Sequence, residues 1–330
     1  MIVYILRRLL LALSVVFATI VLTFSLFFSG AGGNPAYQQC TTHCTKSIVK
    51  ALDHQMGLDK PIIDQFGTYV EGLVVGRDIS SGGVSQRCTA PCLGWSFVQS
   101  QSVTTMVGQV LPVTISIVVG GAVVFIPLGL LLGVIAATKR GSPIDRFVVG
   151  VSQVVGAIPY YVWALVLNLY LVLIWGVLPA VQYNPITQGP WQWFTGFFSI
   201  WVIFGVFNAL AYVRYVRAFM INTLSADYVR TARSKGVGEL RVIVLHALRA
   251  AIAPFLTLIG IDLAGQLSGS IFTEQVFNVL GMGKLSINSL TQSDLPVMAG
   301  TVLVGAVFIV LGNLIVDMMY AVVDPTVTLS

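Results

Sequence analysis

The sequence predicts an all-α polytopic membrane protein with six transmembrane helices. Two observations carry this prediction. First, mean hydropathy is +0.88, and only 9% of the 330 residues are charged against 56% hydrophobic. A soluble domain carries about a quarter charged residues. Second, the apolar residues come in long continuous runs, whereas barrel strands alternate apolar and polar over about ten positions. Lipid cannot satisfy backbone N–H and C=O groups, so continuous runs of this length demand helices.

The runs fall at about 9–29, 111–138, 147–178, 196–220, 250–273 and 297–323. Each supplies the roughly 20 residues that cross the hydrocarbon core. The longer ones imply tilt, kinks or extension beyond the bilayer. Pro112, Pro127, Pro159 and Pro254 lie in or at the ends of spans, where neighbouring helices satisfy freed carbonyls. Arg7 and Arg8 precede the first run, and Ser29-Gly30-Ala31 resembles a cleavage site. A secretory signal has an apolar core of only about 7–15 residues. The run from Leu9 to Phe28 is longer and reads as an uncleaved anchor.

Lysine and arginine placement sets the orientation. With the N-terminus inside, Arg7, Arg8, Lys139, Arg140, Arg146, Arg214, Arg217, Arg230, Arg233, Lys235, Arg241 and Arg249 are cytoplasmic, 12 of the 18 basic residues. The outside connection 179–195 has no charge. Six spans place both termini in the cytoplasm. The net charge of +5 then reports topology rather than nucleic-acid binding, because no aromatic-rich basic platform accompanies it.

Three segments follow: an anchor helix at 1–29, an outside loop subdomain at 30–100, and a core of five spans at 101–330. The outside loop holds all four cysteines, as Cys40-x3-Cys44 and Cys88-x3-Cys92. Thiols outside the membrane tend to be oxidised, so disulfides are expected. Four cysteines allow three connectivities, and joining the two pairs would close a long loop. The competing reading is a metal site with His43 as a further ligand. The oxidising compartment favours disulfides, and no metal is expected.

Catalytic motifs are missing. The string nearest a P-loop, Gly281-Met282-Gly283-Lys284-Leu285, lacks the first glycine, where Asn278 stands, and the magnesium-holding hydroxyl. No Gly-x-Ser-x-Gly elbow or His-Glu-x-x-His motif occurs. His43, His54 and His246 fall in different segments. Polar residues within spans mark either pathways or helix–helix hydrogen bonds. They are Gln153, Asn168, Asn208, Asp262, Gln266 and Asp317. Asn168, Asn208, Asp262 and Gln266 are the pathway candidates. Asp317, near an inner span end, reads as interfacial.

One cytoplasmic stretch stands out in this apolar chain: DYVRTARSKGVGELRVIVLHALRAAIAP, residues 227–254, within the connection 221–249. Asp227 can cap a short helix running to about Lys235. Gly236 and Gly238 permit a turn. A second helix from Glu239 enters the membrane near Pro254. A short helix displayed between turns suits a groove on another protein. A basic loop lying on anionic lipid is the plainer reading.

The same residues carry a resemblance. Tyr228-Val229-Arg230-Thr231-Ala232-Arg233-Ser234-Lys235-Gly236 and His246-Ala247-Leu248-Arg249-Ala250-Ala251-Ile252-Ala253-Pro254 resemble the cytoplasmic loop of ABC importer permeases of the dipeptide/oligopeptide/nickel type. Tyr4-Ile5-Leu6-Arg7-Arg8-Leu9, Met56-Gly57-Leu58-Asp59-Lys60-Pro61, Leu111-Pro112-Val113-Thr114, Glu274-Gln275-Val276-Phe277 with Gly281-Met282-Gly283, and Val316-Asp317 with Val323-Asp324-Pro325 resemble further family signatures, in order along the chain. Arg230-Thr231-Ala232 stands where many ABC permeases have Glu-Ala-Ala, Leu280 stands for the proline of the family's Pro-Gly-Leu-Gly, and the cysteine stretches are additional to the usual loop.

The resemblance implies a type I ABC importer permease fold in the bacterial inner membrane. It implies a second homologous permease subunit, two cytoplasmic ATPases that bind ATP and magnesium, and an extracytoplasmic substrate-binding protein. The chain itself would bind no cofactor. Residues Asp227, Tyr228, Arg230, Thr231, Ala232, Arg233, Lys235 and Gly236 would form the ATPase-coupling helix. A stand-alone secondary transporter or channel would show more charge within its spans. A non-transporting scaffold would not depend on the basic loop for uptake.

Overall fold

A computed structural model of the chain describes residues 2–28, 36, 45–81 and 84–323. Thirteen α-helices are labelled in chain order. α1 (Ile2–Phe28) is the first membrane helix. α2 (Lys46–Met56) and α3 (Ile62–Val75) belong to the long loop after α1, followed by a hairpin of β1 (Arg77–Ser81) and β2 (Val84–Cys88) and a short pair, β3 (Trp95–Ser96) and β4 (Gln101–Ser102). Both pairs are antiparallel, with Arg77 opposite Cys88 and Trp95 opposite Ser102. The core follows: α4 (Val103–Thr138), α5 (Pro143–Ala157), α6 (Tyr160–Leu167), α7 (Pro190–Leu224), α8 (Asp227–Ser234), α9 (Glu239–Arg241), α10 (Arg249–Leu267), α11 (Ile271–Val276), α12 (Met282–Thr291) and α13 (Leu295–Val323).

Among the described residues, five helical segments are long and apolar enough to cross a membrane: Leu6–Ser25, Val103–Thr138, Pro190–Leu224, Glu239–Leu267 and Leu295–Met319. The pair Pro143–Ala157 and Tyr160–Ile174, bent by 95°, passes the same length and hydropathy test when taken together, which gives up to six spans. The third run, expected at 147–178 with Pro159 within it, bends at Ile158-Pro159. Proline disfavours α geometry in the residue before it, and Ile158 is extended at φ −105°, ψ 134° ahead of Pro159. Past Leu167 the helix loosens into a π-helix, Asn168–Ile174. A second π segment, Val242–Leu248, joins α9 to α10. π turns are rare and concentrate at functional places.

The core is built on α4 and α7, which lie together along much of their length. Small residues let membrane helices approach closely. A Cβ on Gly121 would sit 2.4 Å from Phe204, and one on Gly133 would sit 2.5 Å from Val216. Phe125, Phe197, Ile117 and Ile200 are fully buried between these helices. α13 packs on α10 and α1, and Arg8 pairs with Asp317 at 2.8 Å across α1 and α13.

In this loop, Cys88 and Cys92 are bonded to each other. A bridge from either to Cys40 or Cys44 is thereby ruled out, and the link is local rather than a closure of the long loop. The Cys88–Cys92 segment folds back under α3, where the Cys92 amide donates to the Gly72 carbonyl at 3.1 Å. Cys40, Cys44 and His43 lie outside the described residues, as do Gly30 and Ala31 and the motif ending Asp324-Pro325. Among the described residues no group of three His, Cys, Asp or Glu side chains assembles.

Candidate coupling helix and membrane-embedded polar residues

α8 is a two-turn helix held against the membrane core by one apolar face. Val229 is fully buried and Ala232 nearly so, packed with Val242, Leu224 and Val237. Ala232, expected among the coupling residues, is thus an anchor turned toward the core. Asp227 is not the cap either: the N-cap is Ala226, which has no side-chain oxygen, and Asp227 sits in the first turn. There its charge favours the helix dipole.

The opposite face is open. Asp227, Tyr228, Arg230, Thr231, Arg233, Lys235 and Gly236 are all exposed. Thr231 spends its hydroxyl on the Asp227 carbonyl at 2.9 Å. Arg233 donates twice to Glu239, at 3.1 and 2.7 Å. This fork braces the turn between α8 and α9, so Arg233 shapes the loop rather than projecting freely. Gly236 makes that turn with φ +77°, a region that favours glycine. Tyr228, Lys235 and the Asp227–Arg230 pair, 3.7 Å apart, remain as the projecting groups, with Leu240 beyond the turn at 75% exposure.

The polar residues of the spans fall into different settings. Asn208 donates to the Phe204 carbonyl of its own helix at 2.7 Å. Asn168 opens the first π segment and reaches the Val276 carbonyl at 3.4 Å. Asp262 accepts a hydrogen bond from Tyr212 of α7 while staying exposed on the free chain. The Gln266 Oε1 atom is buried and meets no partner among the described residues. Gln153 is exposed on α5. Asn168, Asn208, Asp262 and Gln266 thus spread over three spans, and no direct bond joins them among the described residues.

Three carboxylates are buried among the described residues, Asp145, Glu274 and Asp294, and the sequence reading marked none of them as a site. Asp145, in the first turn of α5, takes both Nε and Nη2 of Arg217, at 2.7 and 2.8 Å, and the Gly141 amide at 2.8 Å. Arg217 had registered only as a topological charge. The Ser142-Pro143-x-Asp145 spacing was a legible helix start, and the Ser142 hydroxyl does cap α5. The second, Glu274, is fully buried. It accepts from the Thr114 hydroxyl at 2.8 Å and the Lys284 amide at 2.7 Å. Burial pushes its carboxyl above the usual range.

Two family profiles match the sequence. Residues 129–329 match the family described as the binding-protein-dependent transport system inner membrane component. Residues 1–118 match the N-terminal domain of the membrane component of such systems. A protein of Brucella abortus (strain 2308), provisionally named a peptide transport system permease, is 31% identical over 324 residues, 98% of each chain. The dipeptide transport system permease protein DppB of Escherichia coli (strain K12) is 32% identical over 305 residues, 83% of each. The protein of the same name from Lactococcus lactis subsp. cremoris (strain MG1363) is 31% identical over the full length of both.

Proposed function

Because this chain belongs to the family of inner membrane components of binding-protein-dependent transport systems, the permeases of ABC importers, we propose that it forms half of the pathway through which di- or oligopeptides enter. The solute class rests on the names of relatives that match along most or all of their length. The remaining parts of the importer would be a second homologous permease, two cytoplasmic ATPases carrying ATP and magnesium, and an extracytoplasmic substrate-binding protein. The chain would sit in the bacterial inner membrane with both termini cytoplasmic, its segment 1–29 an anchor, 30–100 facing the binding protein, and 101–330 forming the permease core.

The observation that carries the coupling role is the two-faced α8. One face is fixed to the core through Val229 and Ala232. The other presents Asp227, Tyr228, Arg230, Thr231 and Lys235 to solvent. A short helix held in this way fits a groove on an ATPase. Arg233 and Gly236 keep the loop in shape. A ligand shifts a conformational equilibrium only through differential contacts. ATPase closure would therefore act by favouring one position of α8. Asn168, Asn208, Asp262 and Gln266 are assigned to the pathway side. An exposed carboxylate such as Asp262 is costly against lipid and belongs on a wet or subunit-facing surface.

The test is co-purification of the ATPases with wild type and with the double variant Gly236→Pro, Arg233→Glu, followed by ATP-driven uptake of labelled dipeptide in liposomes. The expected result is loss of ATPase binding and of uptake. Stable binding with undiminished uptake would remove α8 from the coupling role. Uptake of a nickel chelate or haem in place of peptide would overturn the solute assignment alone.

A further inference from the structure

We infer that Asp145 and Arg217 are positioning residues for coupling: they lock the cytoplasmic end of α7 to α5, so that displacement of α8 is delivered to the broken third span. The inference rests on the coupling role proposed for α8 and adds the path the motion takes beyond it.

The bond is built to transmit force. Arg217 meets Asp145 with two parallel N–H donors, the geometry that fixes orientation as well as distance. The carboxylate is 5% exposed and the guanidinium 27%. The third donor to Asp145 is the Gly141 amide, from a turn in which Gly141 itself has φ +81°. One side chain therefore closes the turn after α4, caps the dipole of α5 and seizes α7. A carboxylate serving only as a helix cap would need no arginine from a helix 72 residues away in sequence.

The surrounding packing gives the bond its direction. Arg217 lies two turns before the end of α7 at Leu224. Its neighbours Val216 and Met220 are buried in the cluster that includes Ala137 near the end of α4. Leu224 in turn packs on Val229 and the rest of the α8 anchor. The end of α7 is thus joined to α8 by apolar contact and to α5 by the ion pair. α5 runs unbroken to Ala157, and the next element is the 95° bend leading to α6 and the π segment that begins at Asn168. Removing one partner of a shielded pair leaves an uncompensated charge. The contact should then loosen even where the helices stay folded.

The experiment uses the assembled transporter in lipid nanodiscs. Spin labels are introduced through non-canonical residues at Arg146 of α5 and at Ser225 between α7 and α8, both exposed. In wild type we expect one distance that stays within about 2 Å between the nucleotide-free and ATP-trapped states, no more than an ordinary helix shift. In Asp145→Asn we expect a broadened, nucleotide-dependent distance, with ATPases still co-purifying and peptide uptake per ATP reduced about tenfold. Arg217→Lys keeps the charge but not the fork and should fall between. A wild-type distance that changes by more than about 5 Å, one helical turn, would overturn the lock without any variant being needed. So would Asp145→Asn with uptake per ATP within about twofold of wild type. The label distance does not depend on where the ATPases dock. Its failure refutes the lock alone, whereas retained coupling in the Gly236→Pro, Arg233→Glu variant refutes the docking role of α8 alone.

Discussion

Replacing Glu274 tests whether the turn between α11 and α12 is held by a buried carboxylate. Glu274 and Thr114 are both fully buried. Thr114 donates to Glu274 and accepts from the Met282 amide at 2.8 Å, while the Lys284 amide donates to the other carboxylate oxygen. Glu274→Ala strands two buried donors, each at about 1–3 kcal/mol. Relief of the desolvation that raises the Glu274 pKa returns part of this, leaving a net loss of about 2–4 kcal/mol. At about 1.4 °C per kcal/mol for a chain of 330 residues, thermal unfolding in detergent should fall by roughly 3–6 °C. Gly281→Ala attacks the same socket from the other side, because its Cβ would lie 2.4 Å from the Glu274 carboxylate and 2.6 Å from the Thr114 hydroxyl. The two changes share one cause, so the double variant should lose clearly less than the sum of the singles. A Glu274→Ala shift below about 1 °C, or additive losses, would refute the socket.

Three further outcomes are expected. Gly120→Ala drives a Cβ to 2.1 Å from the Trp201 indole, whose Nε1 donates to the Ser116 carbonyl at 2.7 Å. Overpacking of this kind costs about 1–3 kcal/mol, and Trp201→Phe in the same chain should recover part of the lost melting temperature. The Cys88–Cys92 bond closes a short loop, with a sequence separation of 4. Converting both to serine should cost about 2 kcal/mol, and because both sulfurs are buried, maleimide should label them only after reduction and unfolding together. Burial raises the Asp294 carboxyl, against the Ser96 hydroxyl that donates to it at 2.5 Å. A raised acid favours its neutral form in the folded state. Its stabilisation is full below the unfolded value of about 4 and is lost as pH rises through the folded value. The melting temperature of Asp294→Asn minus that of wild type should therefore grow more positive from about pH 4 to pH 8; a flat or falling difference would contradict this.

The spans were legible because a continuous apolar run has one solution in lipid. Their joints were less so. Pro159 was visible in the sequence, but a proline marks either a tolerated kink or a break. Only packing against α7 and α11 decides for the 95° bend. The π segments at 168–174 and 242–248 have no composition of their own, since the extra residue per turn is imposed by neighbours. In α8 the buried positions, Val229 and Ala232, are three apart, as one helix face requires. Ala232 reads as small and neutral in sequence, yet the fold uses it as the anchor beside Val229. Buried charge was least legible of all. Asp145 and Arg217 are 72 residues apart, and Thr114 and Glu274 are 160 apart. Each carboxylate, taken singly, looks like an ordinary loop or interface residue.

These placements divide the molecule into stiff and compliant parts. Along α4 and α7, glycines at 121, 129 and 133 bring the backbones so close that sliding would force Phe204, Tyr212 or Val216 into the opposite helix. Close-packed interiors do not deform continuously. Two of the three buried carboxylates attach to this pair: Glu274 through Thr114 in α4, and Asp145 through Arg217 in α7. A displacement applied to α8 therefore has no soft path along α4 and α7. Regular α-helical hydrogen bonding gives way at joints, at Ile158-Pro159 and in the two π segments, among the membrane helices described. Asn168 begins one π segment, and the other leads from Glu239 and Arg241 into the span that carries Asp262 and Gln266. Three of the four polar residues assigned to the pathway thus sit on elements entered through a joint. The fourth, Asn208, lies on the stiff helix, its amide held by the Phe204 carbonyl.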